Sequence, residues 1–97
     1  MNRAGAVDVL TALRLRLEAR GIAHAGVFGS VARGEASDSS DIDIVVTPAR
    51  RLDLFDLGGV QDLLEQAFDG ADVDLVVEPI RAASLKAAVQ RDRVDVF

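Results

Sequence analysis

The sequence predicts an α/β fold in which helices pack on one mixed β-sheet. Three observations carry that prediction. Apolar stripes at helical spacing alternate along the chain with short β-rich apolar runs. Glycine or proline punctuates most of the segment ends. Two of the apolar runs share an Asp-x-Asp-aliphatic pattern whose alternation suits a half-buried strand.

Between Val7 and Arg20, the residues Val9, Leu10, Leu13 and Leu17 recur at helical spacing, with Arg14, Glu18 and Arg20 off the stripe and Gly21 at the favoured stop position. Residues 22–28 are short and apolar and run into Gly29-Ser30, which reads as a strand ending in a tight turn. Residues 31–40 are small and polar and read as a loop with room for one helical turn. A second strand is predicted over Asp41–Val46, closed by Thr47-Pro48 because proline cannot donate to a sheet ladder. Asp53 is placed to cap a second helix carrying Leu57, Val60, Leu64 and Phe68, which stops before Gly70. Ala71–Val77 repeats the strand pattern and is closed by Glu78-Pro79. Residues 80–91 read as a third helix with Leu85, Ala88 and Val89 on a modest apolar face, and Val94–Phe97 as a last edge strand.

A chain of 97 residues accommodates one domain, here 1–97, and its composition of 49% hydrophobic and 28% charged residues is that of a packed domain rather than a disordered segment. With no cysteine and one histidine, His24, disulfide frameworks, thiolate sites and multi-histidine zinc sites are excluded. The net charge of −5, with a single lysine at Lys86, argues against strong nucleic-acid binding, which rests on clustered basic residues. No apolar run approaches the roughly 20 residues that span a membrane, and the first residues lack the apolar core of a signal peptide. No membrane association and a cytoplasmic location are therefore expected.

Strand periodicity puts Asp41 and Asp43 on one face and Ile42, Ile44 and Val46 on the other. Neighbouring carboxylates repel, and a divalent cation relieves that repulsion, with hard oxygen donors favouring magnesium or manganese. On a solvated sheet edge, however, such a pair needs no metal. Asp74 on the second Asp-x-Asp strand would supply a third carboxylate if the two strands are neighbours. Asp72 shares its face but falls at the strand's start. Gly29-Ser30, between a strand and a possible helical turn, could offer backbone N–H groups and a hydroxyl to phosphate oxygens, or be an ordinary turn.

Taken together, Val27-Phe28-Gly29-Ser30-Val31-Ala32-Arg33-Gly34-Glu35, Ser40-Asp41-Ile42-Asp43-Ile44-Val45-Val46 and Val73-Asp74-Leu75-Val76 resemble the signature of the DNA polymerase β-like nucleotidyltransferase superfamily, in its minimal nucleotidyltransferase (MNT) branch. The likeness runs from the first helix to the final segment. It implies a polymerase β palm-like core and transfer of a nucleoside monophosphate from ATP or another nucleoside triphosphate to a hydroxyl. Asp41 and Asp43 would bind two Mg2+ ions, with Mn2+ as an alternative. Asp74 would complete the site, binding one ion and helping to deprotonate the acceptor. Gly29 and Ser30 would hold the β- and γ-phosphates. Arg33 would either neutralise triphosphate charge or anchor the loop through Glu35 or Asp38. The resemblance also implies a helical HEPN-type toxin as partner, with this chain as the antitoxin that adenylylates a tyrosine on it. Neutralisation by binding alone, and transfer to a small molecule or nucleic acid, are the alternatives. Elsewhere, His24 reads as a structural residue, Phe28, Phe55, Phe68 and Phe97 as core, and Arg50-Arg51 as a solvated pair.

Overall fold

A computed structural model describes residues 1–37 and 41–97. Ser40, the first residue of the Ser-Asp-x-Asp motif, and Asp38, one proposed partner of Arg33, lie outside the described residues. The elements run α1 (Arg3–Ala19), β1 (Ile22–Phe28), α2 (Gly29–Arg33), β2 (Ile42–Pro48), α3 (Leu54–Ala67), β3 (Val73–Val77), α4 (Ala83–Asp92) and β4 (Val94–Asp95). The four strands form one mixed sheet in the order β3-β2-β1-β4. β1 is antiparallel to β2 and β4, and β2 is parallel to β3.

Helix α1 begins at Arg3, four residues before the expected start at Val7. The Asn2 side chain accepts a hydrogen bond from the Gly5 N–H at 2.8 Å and satisfies one of the donors a helix start leaves free. Its end is the one expected: Gly21 adopts φ +91° and its N–H returns to Glu18 O at 3.0 Å. Helix α3 starts with a reciprocal capping box between Asp53 and Asp56.

The main core lies between the sheet and the helices α1 and α3. Leu10, Leu13, Leu17, Val60, Leu63 and Leu64 meet Ala25, Val27, Ile42, Ile44 and Val46 there. The opposite sheet face carries a smaller cluster in which Phe28 and Val45 pack with Val89 of α4, flanked by Val76 and Ile80. The two faces divide β2 as its alternation requires, with isoleucines under α1 and α3 and Asp43 and Val45 on the α4 side.

Several expectations are corrected. Strand β2 starts at Ile42, not Asp41, and runs through Pro48. Ile42 N–H takes the Asp72 carbonyl and opens the ladder with β3, while Asp41 lies beyond the last rung with β1 and has no strand partner. Pro48 fits because it occupies the final rung, opposite Ile22. β3 begins at Val73. The helical turn after β1 begins at Gly29, within the predicted turn. Helix α4 runs over 83–92, with Ile80 on the cluster before it, and Val89 is its one buried apolar residue, Leu85 being 36% exposed. β4 is reduced to two residues, although Val96 and Phe97 still hydrogen-bond to Ala25. Phe55 is not core: it is 92% exposed, because it stands half a turn around α3 from Leu64. Phe28 and Phe68 are buried, and Phe97 is half-buried under the Arg14 guanidinium, 5.3 Å from its ring centre.

These placements separate two substitutions of large apolar residues. Ile44→Ala, in the centre of the sheet with no exposed surface, should cost about 2–5 kcal/mol in chemical denaturation, whereas Phe55→Ala should change stability by less than about 0.5 kcal/mol.

Candidate active site

The site forms where β1 ends and β2 and β3 begin. Register sets it: Phe28 pairs with Asp43, and Asp43 pairs with Asp74, so one rung across three strands brings the end of β1 beside two carboxylates. Residues paired across neighbouring strands point to the same face, so Asp43 and Asp74 share the α4 side of the sheet. Asp72 precedes β3, and its carbonyl accepts the Ile42 N–H at the start of the ladder; Asp74 is the residue opposite Asp43. Asp41 is exposed and precedes β2, yet lies close enough for its charge to be felt at Asp43.

Gly29 closes the site from the β1 side. Its φ is +68°, a left-handed conformation that side chains rarely adopt, and a Cβ built on it would collide with Oδ2 of Asp43. The Asp43 carboxylate thus lies directly against the Gly29 backbone, and both the turn and the close approach require glycine. Ser30 and Arg33 follow on α2, which ends at Gly34. Among the described residues two acids hold Arg33: its Nε donates to Glu35 Oε2 at 2.9 Å and its Nη1 to Asp92 Oδ2 at 2.6 Å. Glu35 was legible as a partner from its proximity in sequence. Asp92, 59 residues away, was not, since nothing in the local pattern at 91–93 distinguishes it from a solvated acid at a helix end.

Crowding is visible in the electrostatics. Burial, followed by the charges of Asp74 and Asp41 and a hydrogen bond with Asp74, pushes the Asp43 carboxyl from its ordinary range up to about 6, against a smaller opposing pull from Arg33. A half-buried carboxyl that resists ionising for want of positive charge is one that a divalent cation would suit, and the donors are all hard oxygens. Among the described residues, however, no group of three or more acidic or imidazole side chains is gathered closely enough to hold a metal ion by itself.

A depression of about 590 Å³ lies elsewhere. It lies at the far ends of β2 and β3, lined by Thr47, Pro48, Leu52, Leu57, Val77 and Pro79 together with Arg50, Arg51 and Glu78, and contains none of Asp41, Asp43 or Asp74. Among the described residues no helix is long and apolar enough to cross a membrane.

Two consequences follow for substitutions at the site. Gly29→Ala should destabilise the fold by roughly 1–3 kcal/mol, the usual cost of forcing a side chain into such a conformation, and should displace Asp43 as well. For Asp43 the sign is the reverse. The folded state holds this proton more tightly than the unfolded chain, so stability is lost as pH rises from about 4 through about 6. Asp43→Asn should therefore stabilise the metal-free protein at neutral pH, by about 1 kcal/mol once solvent screening of a half-exposed group is allowed for. Thermal denaturation in chelator should show that gain at pH 7–8 and lose it near pH 4.

Residues 15–95 match the polymerase beta nucleotidyltransferase family. The chain is 50% identical over 40 residues to the protein adenylyltransferase MntA of Thermococcus cleftensis, a stretch that takes in 40% of each chain. It is 34% identical to a minimal nucleotidyltransferase of solved structure, covering 97% of this chain and 95% of that one with a TM-score of 0.68. It is 27% identical to a chain of a toxin–antitoxin complex crystallised with AMP-PNP, covering 90% of this chain and 72% of that one, TM-score 0.72. With the Gly29 turn, the Asp43–Asp74 rung and the sheet order described above, these likenesses establish that the chain belongs to the polymerase beta nucleotidyltransferase family, in its minimal branch.

Proposed function

We propose that this protein is a nucleotidyltransferase that moves AMP from ATP to a hydroxyl on a partner protein, and that it serves as the antitoxin of a HEPN/MNT pair. The observation that carries the reading is the contact of Asp43 with Gly29 beside Asp74, which brings an acid pair within reach of a turn able to take phosphate. The Thermococcus relative's name supports adenylyl transfer, and the complex with AMP-PNP supports a nucleotide and a toxin as companions.

Each residue's part follows from its chemistry. Gly29 lets a phosphate approach the backbone closely, and the first N–H groups of α2, unpaired within the helix, with the Ser30 hydroxyl, can donate to β- and γ-phosphate oxygens. Asp43 and Asp74, with Asp41 at the rim, would hold Mg2+ or Mn2+ through their carboxylate oxygens. The metal, when bound, would supply charge neutralisation at the phosphates. Asp74, exposed on the edge strand, would accept the proton of an approaching hydroxyl. Arg33 sets a positive charge beside Asp43 and would help balance the triphosphate. In the transfer the acceptor oxygen bonds to the α-phosphorus, the bond to the bridging oxygen breaks, and pyrophosphate leaves. The acceptor must be held at that phosphorus. An acceptor that carries its own fold, as a HEPN-type toxin does, meets that need.

Coexpression with a HEPN-type partner followed by intact-mass measurement should show AMP-sized additions to the partner. Asp43→Asn should abolish them, and Asp74→Asn should reduce them by at least about 100-fold. A partner that binds and is neutralised without gaining mass would make this chain an antitoxin by occlusion. Labelling of a small molecule or nucleic acid in its place would identify a different acceptor.

A further inference from the structure

Asp92 is the last residue of α4, a helix otherwise exposed over 83–87 and held to the sheet by Val89. Its side chain is nonetheless only 4% exposed. Its carboxylate accepts from Arg33 Nη1 at 2.6 Å and from Arg91 Nε at 3.0 Å and Nη2 at 3.2 Å. A carboxylate taken from water is tolerated when charged donors surround it, and these two guanidinium groups, Arg91 first and Arg33 with it, hold the Asp92 carboxyl below the usual carboxylate range.

The two arginines are not equivalent. Arg91 is adjacent in sequence and its side chain is 69% exposed, so it balances charge without linking distant parts of the fold. Arg33 is the last residue of the turn that begins at Gly29, and its charge reaches Asp43. Its other partner, Glu35, lies two residues away on the same loop and is 64% exposed, a pairing that constrains little. Among the described residues, the long-range hold on the Arg33 fork is Asp92, whose side chain is out of water.

We propose that Asp92 is a positioning residue for the nucleotide site: by fixing Arg33 it sets both the aim of that guanidinium and the seat of the Gly29–Arg33 turn against Asp43. This rests on the transferase reading above. It assigns to α4, which carries none of the family motif, the task of orienting the phosphate-facing turn.

The test measures AMP transfer to the coexpressed partner at varied MgATP. Asp92→Asn should raise KM for MgATP by at least about ten-fold with a smaller change in kcat. Asp92→Glu, which keeps the charge, should recover much of that loss. Arg33→Ala should raise KM similarly, and Arg33→Ala combined with Asp92→Asn should be no worse than Arg33→Ala alone, since both remove one interaction. A lowered melting temperature in Asp92→Asn with unchanged KM, or losses that add in the double variant, would overturn the proposal by showing Asp92 to be structural only. If the unsubstituted protein transfers no AMP at all, the transferase reading itself fails, and this role with it.

Discussion

The arrangement of the molecule's acidic end depends on how close the Asp43 carboxylate lies to the Gly29 backbone. That contact exists because three strands share one rung, Phe28 to Asp43 to Asp74, and because the chain turns immediately after Phe28 in a conformation only glycine accepts readily. A shift of one residue in the β1–β2 register would turn Asp43 into the core and Ile42 or Ile44 out of it. The isoleucines and valines under α1 and α3 therefore hold the site in place as surely as its own residues do. The cost is borne locally, as a half-buried carboxyl crowded by two others. Such a cost is common at sites that meet a cation or a phosphate.

Charge is distributed to suit that end. The chain is acidic overall, and several of its arginines are tied to acids: Arg14 to Glu18, Arg50 to Asp56, Arg93 to Glu78 and Asp95, Arg91 to Asp92. Arg33 is also paired, but it is the arginine whose field is felt at Asp43. A polyanion could not be attracted by net charge here. On the proposed reading it would be received by backbone donors, one guanidinium and a cation held by the carboxylates, so that local arrangement rather than composition would decide binding. Helix α4, thinly packed on its own account, gains its place through Val89, through Arg93 and Glu78 at one side, and through Asp92 and Arg33 at the other.

The two ends of the sheet differ in kind. The far ends of β2 and β3 border a depression that is mostly apolar in its lining. The acidic end has a turn and carboxylates, and Asp41 and Asp74 are exposed. On the proposed reading this openness suits an acceptor that arrives as a folded protein and supplies the missing wall itself.

Much was legible in the sequence because it depends on local rules. Periodicity located the three longer helices and the strands to within a few residues, though not the short helix α2, Gly21 stopped α1, Asp53 capped α3, and the alternation of Asp43 with Ile42 and Ile44 assigned the faces of β2. What the sequence left open was set by contacts between distant segments. Asp41 fell outside β2 because a strand ends where its partners' ladders end, which local propensity does not encode. Phe55 became surface because a stripe of apolar residues does not say how wide the buried arc is. Arg33 could be read as a loop anchor through Glu35, but its partner Asp92 comes from 59 residues away and appears only when α4 is laid against the sheet. The sequence by itself determined which residue types the site has and on which side of each strand they stand, because those follow from backbone geometry. Only the tertiary structure decided that Asp74 stands opposite Asp43 and that Gly29 lies beneath it, because strand order and register are settled by packing across the whole core.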